Sequence, residues 1–183
     1  IVEEIKRSPE IEIASPIIVA QIPDPKKNRK ILLYGYESSY VKKIKPDWRI
    51  KGEMPAGWEA LRLNKILVGS DIAEEEGLKI GDTISYGGWT FLVSGILERT
   101  FSKDDAFIYA EIRTTQEVAI KVTGLRVIEI EDPTCILKHR ITDDPISAVA
   151  VKLKDTASFM EVKSDLTKRI PNIKTVTVSD AVK

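Results

Sequence analysis

Cysteine and histidine, which supply many of the metal ligands and nucleophiles in proteins, are almost absent from this chain. Its 183 residues include one Cys and one His, namely Cys135 and His139. A structural zinc ion takes four ligands in most proteins, and this C-x₃-H pair offers only two. One cysteine also excludes an intramolecular disulfide. No local signature of a third, orienting residue accompanies a Cys–His nucleophilic pair. We therefore interpret Cys135 as a buried structural residue and His139 as a surface residue.

Phosphate-binding and nucleophile motifs are also missing. The segments GLKIGD and GDTISYGG match neither G-x-G-x-x-G nor G-x-x-x-x-G-K-[ST], and no G-x-S-x-G elbow is present. Paired carboxylates perform acid–base chemistry only when they converge on one point, so we interpret the acidic pairs as turn residues. These pairs are Asp104–Asp105, Glu131–Asp132 and Asp143–Asp144. The sequence thus predicts no catalytic, cofactor-binding or metal-binding residue, and it leaves the substrate-binding residues unknown.

The chain has no excess charge of either sign. Lys plus Arg number 28 and so do Asp plus Glu, so no overall field attracts a polyanion. The lysine-rich stretches Lys26–Lys30 and Lys42–Lys45 are short, and aromatic residues make up only 7% of the chain. Proteins that bind single-stranded nucleic acid combine a basic groove with stacking aromatics. We therefore interpret both stretches as solvated surface and expect no nucleic-acid partner.

Long hydrophobic runs are absent as well. The longest mostly apolar run is Trp89–Leu97, and Thr90, Ser94 and Gly95 interrupt it. A helix needs about 20 apolar residues to cross a membrane. The sequence therefore predicts no transmembrane segment within the chain, and it shows no signal peptide.

Both ends of the chain have helical character. The first residues, IVEEIKRSP, resemble the end of a helix, and the last, SDAVK, resemble the start of one. Ser179 is a favourable N-cap there, and Asp180 suits the first turn. We expect the chain to be the middle of a longer protein whose flanking helices enter the membrane.

What the chain does contain in abundance is β-branched residues. It has 25 Ile and 14 Val, and such side chains favour strands over helices. Hydrophobic residues make up 43% and charged residues 31%, which is typical of a folded protein. The length is sufficient for one large domain or two small ones.

Hydrophobic periodicity and turn residues predict alternating strands and helices. Strands are predicted at 11–22 (with a kink at Ser15-Pro16), 30–36, 66–68, 83–86, 89–97, 107–112, 125–130, 135–137, 148–153 and 175–178. Helices are predicted at 1–7, 37–44, 71–76, 114–121 and 156–170. Ser38 or Ser39 is expected to cap the second helix and Ser70 the third. Gly77 is expected to end the third helix in a left-handed conformation, and Gly87-Gly88 to form a two-residue hairpin loop.

The order of these elements predicts an α+β fold in two parts. The last helix has one apolar face, formed by Phe159, Val162, Leu166 and Ile170. Its strand–helix–strand unit needs a sheet to pack on, and the first two strands are the expected partners. Residues 1–62 and 146–183 are thus predicted to form one α+β subdomain. Residues 63–145 form an inserted, barrel-like β-rich subdomain, with a linker near 45–58.

Three tryptophans stand out among the few aromatic residues. Trp48 and Trp58 lie in the Pro- and Gly-rich linker, and Trp89 begins a predicted strand. An exposed tryptophan in a linker can anchor a partner. We favour the alternative that Trp48 and Trp58 pack the seam between the two subdomains.

Several segments together resemble the MacB-like periplasmic core domain, the extracytoplasmic part of ABC-transporter permeases of the MacB, LolCDE and FtsX type. The resemblance rests on ILVG, GLKIGDTI, FLVSGIL and TFSKDDAFIYA, and on the closing strand–helix–strand. These segments are Ile66–Gly69, Gly77–Ile84, Phe91–Leu97, Thr100–Ala110 and Ala148–Asp180. The stretch 123–145 matches no part of the family pattern, and its role stays open.

The resemblance implies a porter-like α+β subdomain that carries the small β-rich insertion. It implies a non-enzymatic domain on the outer face of the cell membrane. Its partners would be an ABC ATPase, fused or separate, a second permease copy in the membrane, and an unknown substrate or envelope partner. Cytoplasmic ATP hydrolysis would be coupled to export or to mechanical action on that partner. The alternative function is a soluble β-barrel-type binding module for a small ligand or nucleic acid.

Overall fold

The β-branched residues form a mixed β-sheet through most of the protein. The computed structural model describes residues 1–123, 128–130, 139–141 and 146–175. The strands of the large sheet are β1 (Ile11–Asp24), β2 (Arg29–Tyr36), β3 (Ile50–Gly52), β4 (Lys65–Val68), β5 (Thr83–Tyr86), β6 (Trp89–Leu97), β7 (Ile108–Glu111) and β10 (Ala148–Leu153). Their order is β10–β1–β2–β7–β4–β6–β3, with β5 paired to β6. Strands β8 (Ile128–Ile130) and β9 (His139–Ile141) form a separate pair. The predicted α+β class is confirmed.

Six α-helices accompany the strands within the described residues. They are α1 (Val2–Lys6), α2 (Ser38–Ile44), α3 (Gly57–Arg62), α4 (Ser70–Glu76), α5 (Ile112–Thr123) and α6 (Phe159–Arg169). A short 3₁₀ helix, Lys103–Ala106, lies between β6 and β7. The last helix begins three residues later than predicted, because the extended backbone of Ser158 precedes its first turn. Among the described residues, no helix is long and apolar enough to cross a membrane.

Two predicted helix caps are wrong. Helix α4 includes Ser70 in its first turn, and the extended residue before it is Gly69. Helix α2 likewise begins at Ser38 after Glu37, and neither helix has a side-chain cap. A serine already in the helix cannot act as the extended N-cap residue, whose side chain reaches the next turn. Gly77 does end α4 with φ 65°, as predicted.

Both predicted hairpins are confirmed. Strands β1 and β2 pair antiparallel from Ile17–Tyr36 to Asp24–Arg29. Strands β5 and β6 are joined by Gly87 and Gly88, whose φ values are 55° and 81°. Two successive positive φ angles define the type I′ turn, which matches the twist of paired strands.

Strand β1 continues through Pro16, where a kink was predicted. Its register shift lies earlier, between Ile11 and Ile13. The carbonyl of Ile17 accepts the N–H of Ser147 on the β10 side, so the backbone of Pro16 faces the opposite side of the strand. Pairing with β2 begins only at Ile17. Proline therefore stands where the sheet requires no N–H donor.

The main core lies between the sheet and helices α4 and α5. It is built from buried side chains such as Ile22, Leu33, Ile66 and Phe91. Helix α5 approaches β2 closely at Gly35, where an added Cβ would lie 2.7 Å from Cβ of Thr115. Glycine at this position lets the helix pack directly on the strand.

One sheet crosses the predicted subdomain boundary. Strand β2, from residues 1–62, pairs in parallel with β7, from residues 63–145. Within the predicted linker, residues 50–52 form β3 against β6, a strand too short to produce a periodic signal. The division into two subdomains stays a prediction. Several predictions fall outside the described residues. They are the strand at 135–137, the first half of the strand at 125–130, most of the strand at 175–178, and the cap residues Ser179 and Asp180.

Candidate functional site

The first helix and the last described helix meet at one junction. Ile5 of α1 and Val162 and Leu166 of α6 are buried together, against Ile11 and Ala14 of β1. Val162 and Leu166 thus take the core positions predicted for the apolar face of α6. Phe159, predicted on the same face, remains 37% exposed, because it begins the helix beyond this cluster. The apolar contact brings together segments that are about 160 residues apart in the sequence.

Arg169, in the last turn of α6, connects the two helices through polar groups. Its guanidinium donates to Oδ2 of Asp165 at 2.6 and 3.0 Å. It also donates to Oγ of Ser8 at 2.7 Å and to the carbonyl oxygen of Glu4 at 2.9 Å. Ser8 in turn donates its hydroxyl to Asp165 at 2.8 Å. The planar guanidinium thus holds Asp165 of α6, Glu4 of α1 and Ser8, which follows α1, in one geometry.

The charges of this junction stabilise one another. The hydrogen bond from Arg169, followed by that from Ser8, lowers the pKa of Asp165. The same bond raises the pKa of Arg169, so both groups stay ionised at neutral pH. Ser8 is only 2% exposed, and it closes the base of an open cleft of about 600 Å³ between α1 and α6. We call α1, residues 7–10 and α6 the terminal junction.

No local pattern in the sequence indicates this junction. Ser8 and Arg169 are separated by 161 positions. A basic residue in the last turn of a helix is common for electrostatic reasons alone. Sequence reasoning therefore missed Arg169 and Ser8, and only the pairing of β10 with β1 brings them together.

A second polar cluster fixes the loop between β6 and β7. Asp105 is 1% exposed, and its carboxylate accepts the N–H of Thr100 at 2.9 Å and the hydroxyl of Thr100 at 2.9 Å. Burial alone would raise the pKa of Asp105, but hydrogen bonds, foremost those from the N–H and hydroxyl of Thr100, outweigh burial and lower it. The carboxylate therefore acts as a buried anchor for the loop.

Asp104 anchors the same loop to an aromatic cluster. Its carboxylate accepts from Nζ of Lys45 at 2.8 Å, from Nε1 of Trp48 at 3.1 Å and from the hydroxyl of Tyr109 at 3.0 Å. Burial, and then the Asp104 charge, raise the pKa of Tyr109, so its hydroxyl stays protonated and donates. Both residues of this acidic pair lie in the short 3₁₀ helix between β6 and β7, and both carboxylates bind groups of the fold. The other two acidic pairs lie outside the described residues.

The lysine-rich stretches are only partly solvated surface. Lys27 and Arg29 form ion pairs with Glu75 and Glu76 of α4 at 2.6–3.0 Å. In the second stretch Lys45 binds Asp104, as described above. Lys26 is exposed, as predicted. These pairs tie the β1–β2 turn to α4 and present no continuous basic groove.

The two linker tryptophans have different environments. Trp48 packs edge-on against Tyr109, with ring centres 4.7 Å apart, and against Tyr36 at 6.4 Å. It therefore joins residues from both predicted subdomains, as expected. Trp58 is 77% exposed, so its predicted packing is wrong. Helix α3 is too short to bury more than Ala60.

This difference gives a matched pair of substitutions. Trp48→Ala is expected to lower the free energy of unfolding by about 2 kcal/mol, because it removes a ring contact and a hydrogen bond. Trp58→Ala should change it by less than about 0.5 kcal/mol. Urea denaturation of both variants measures the difference, and equal effects would contradict the packing described for Trp48.

Catalytic or metal-binding geometry is not found among the described residues. They contain no group of three or more His, Cys, Asp or Glu side chains that could hold a metal ion. Cys135 lies outside the described residues, and His139 is described only as part of the β9 backbone. The prediction that the chain has no site residues therefore stays a prediction.

Comparison with known proteins identifies the family. The sequence matches the family described as MacB-like periplasmic core domain over residues 1–169. The fold is similar to the crystal structure of the periplasmic region of MacB from Actinobacillus actinomycetemcomitans, with TM-score 0.57, 14% identity and coverage of 91% of this chain and 69% of that one. It is also similar to the extracellular domain of the noncanonic ABC-type transporter YknZ from Gram-positive bacteria, with TM-score 0.53, 14% identity and coverage of 89% and 74%. No curated protein sequence matches the chain. The chain is a member of the MacB-like periplasmic core domain family.

Proposed function

We propose that this chain is the non-catalytic, extracytoplasmic domain of an ABC-transporter permease and that it transmits motion. In this role an ABC ATPase, fused or separate, hydrolyses ATP on the cytoplasmic side. Two permease copies move together in the membrane. The domain then drives export of a substrate or acts on an envelope partner. Family membership supports the permease context and argues against the alternative of a free-standing binding module.

The terminal junction is the observation that carries the mechanical part of this proposal. A domain that transmits motion must receive it through the segments that join it to the rest of the protein. Arg169 of α6 connects the first helix of the chain, α1, to the last described one: it bonds to the carbonyl oxygen and the carboxylate of Glu4 at 2.9 and 3.2 Å, and to Ser8 at 2.7 Å. Displacement of one helix therefore displaces the other together with the sheet edge β1–β10.

Charge-assisted bonds suit such a connection because their geometry is directional. The apolar contact of Ile5 with Val162 and Leu166 holds the helices together, but apolar contacts alone allow sliding. The bonds from Arg169 to Glu4 of α1 and to Ser8, with the bond from Ser8 back to Asp165, fix the relative position of the helices.

The proposal is tested on the full-length permease with its ATPase in lipid nanodiscs. Cys135→Ser removes the cysteine of this chain, and Lys26→Cys, at an exposed turn, carries a spin label. The distance between the labels of two permease copies is then measured with and without ATP. We expect a nucleotide-dependent change in distance. A distance that is the same in both states, in an active ATPase, would overturn the proposal.

Substitution of Arg169 tests the route of the motion. With Arg169→Met, we expect ATP hydrolysis to stay within about twofold, while the nucleotide-dependent change in label distance falls by half or more. Lys65→Met is the matched control, because Lys65 also binds a carboxylate, that of Glu59, but away from the junction. An unchanged distance response in the Arg169 variant would exclude the terminal junction as the route.

A further inference from the structure

Phe101 is the most exposed large hydrophobic side chain among the residues that the structure describes. It is 89% exposed, and its backbone has φ 57°. L-residues other than Asn, Asp and Gly rarely adopt this left-handed conformation, and for an aromatic residue it is an outlier. An outlier that persists is held by its surroundings and is a reason to look for a function.

The surroundings of Phe101 do hold it. On one side Arg99 binds Asp71 and Glu74, each at 2.8 Å. Next to Phe101, Thr100 is bonded through its N–H and hydroxyl to the buried Asp105. The aromatic ring is thus presented to solvent on a fixed loop. A rigid, exposed aromatic residue loses little entropy on binding, which is typical of an interface anchor.

An open cleft of about 480 Å³ lies directly beside this loop, and Thr100 forms part of its wall. Ile44, Pro46 and Trp48 supply an apolar part of the lining. The charged lining residues are three bases and three acids, namely Lys45, Arg49, Arg99, Asp47, Glu98 and Asp104. An apolar projection and a partly apolar recess therefore adjoin each other on one surface, which we call the Phe101 surface.

We propose that the Phe101 surface contacts the same surface of a second copy of this chain, with Phe101 of each copy in the cleft of the other. A two-fold contact uses one patch on both subunits, so the patch must be complementary to itself. The Phe101 surface meets this condition, because projection and recess are adjacent and the cleft is lined by both bases and acids. Lys45 and Arg99 already form ion pairs within the chain, and a two-fold axis can set Arg49 of one copy against Asp47 or Glu98 of the other.

The contact lies away from the terminal junction. Ile108, just after the loop, is the register partner of Leu33 in β2, and Leu33 is the partner of Ala20 in β1. Ala20 is nine residues from Ile11, or about 30 Å along an extended strand. The contact is small, and stable dimers bury about 1,200 Å² or more. It therefore depends on the membrane part of the permease to hold two copies close together, and in this respect the inference rests on the proposed function.

The test is a disulfide between two differently tagged copies of the full-length permease, both with Cys135→Ser. One copy carries Phe101→Cys, and the other carries Arg49→Cys at an exposed position of the cleft. Any cysteine elsewhere in the permease is also replaced, so that each copy has one cysteine and mild oxidation can link them only across the interface. We expect at least half of the co-purified pairs to become linked. The control pair is Phe101→Cys with Asp155→Cys, also exposed, which should link at least tenfold less.

The proposal is overturned if the Phe101–Arg49 pair forms no more disulfide than the control pair. This holds whether the surface then binds another protein or nothing. If ATP still changes the label distance described above, only this interface has failed and the proposed function stands. Phe101→Asn serves as a second variant, since Asn tolerates the left-handed conformation. It should unfold at the same temperature as the natural chain or higher. In copies labelled at Lys26→Cys, it should broaden the label distance distribution at least twofold, and an unchanged distribution would also overturn the proposal.

Discussion

Replacing Gly69 with alanine is expected to destabilise the chain by about 3 kcal/mol or more. A Cβ atom at this position would lie 2.6 Å from the carbonyl carbon of Asp105, closer still to its oxygen, and 2.7 Å from the carbonyl oxygen of Asp104. These are backbone atoms, which cannot rotate away as the end of a side chain can. The N–H of Gly69 also donates to the carbonyl of Phe107 at 2.9 Å. Alanine would therefore displace the whole β6–β7 loop away from α4.

The control for this prediction is Gly77→Ala. Gly77 has φ 65°, and no atom lies within 4 Å of an added Cβ, so alanine there introduces backbone strain without a steric clash. We expect a cost of about 1–2 kcal/mol. Chemical denaturation of the two variants compares the two causes directly. A Gly69 variant no less stable than the Gly77 variant would contradict the close approach of the loop to α4.

Asp105→Asn is expected to cost about 3 kcal/mol at neutral pH. The carboxylate is buried and accepts the amide and hydroxyl of Thr100 at 2.9–3.2 Å. Hydrogen bonds to a charged acceptor contribute about 1.5–3 kcal/mol each. An asparagine amide of the same shape has no charge, and it would place an N–H group against the donor that reaches the second oxygen. The control is Asp82→Asn, whose side chain accepts one hydrogen bond, from the N–H of Lys79, at an exposed turn. It should cost about 1 kcal/mol.

The loss in the Asp105 variant should depend on pH in a defined direction. The folded state lowers the pKa of Asp105 below the value of about 3.9 for an unfolded chain. In acid the unfolded state therefore binds the proton first, and protonation favours unfolding. The contribution of the carboxylate is complete above about pH 5 and is lost as pH falls through its folded pKa. The difference in unfolding free energy between natural chain and variant should shrink from pH 5 to pH 3. A constant difference would show that the charge of Asp105 is not what holds the loop.

Local sequence patterns predicted much of the secondary structure. The Gly87-Gly88 pair predicted the β5–β6 hairpin, since two residues with positive φ are needed there and glycine adopts them freely. Gly77 predicted the end of α4 for the same reason. Some errors, such as the caps at Ser70 and Ser38, concern the placement of a single residue, whereas the short elements β3 and α3 were missed. At Gly69 the tertiary contact with the β6–β7 loop outweighs the local preference for a serine cap.

The candidate site was not predictable in this way. Nothing near Arg169 in the sequence indicates Ser8 or Glu4 as partners, and nothing near Asp104 indicates Trp48. The loop that presents Phe101 was assigned by resemblance to the family, but its burial of Asp105 and its left-handed residue depend on neighbours from α4. Such contacts follow from the order of strands in the sheet, which one sequence does not encode in any short window.

The sequence by itself determined that strands dominate and where the tight turns lie. It also determined that only one Cys and one His are available as nucleophiles or metal ligands. It also contained enough of the family pattern to indicate a permease domain. Only the tertiary structure decided which charged residues are buried together, which tryptophan is packed and which aromatic residue faces solvent. The physical reason is that backbone preference and periodicity act over a few residues. Burial and ion pairing, in contrast, depend on which distant segments the sheet makes adjacent.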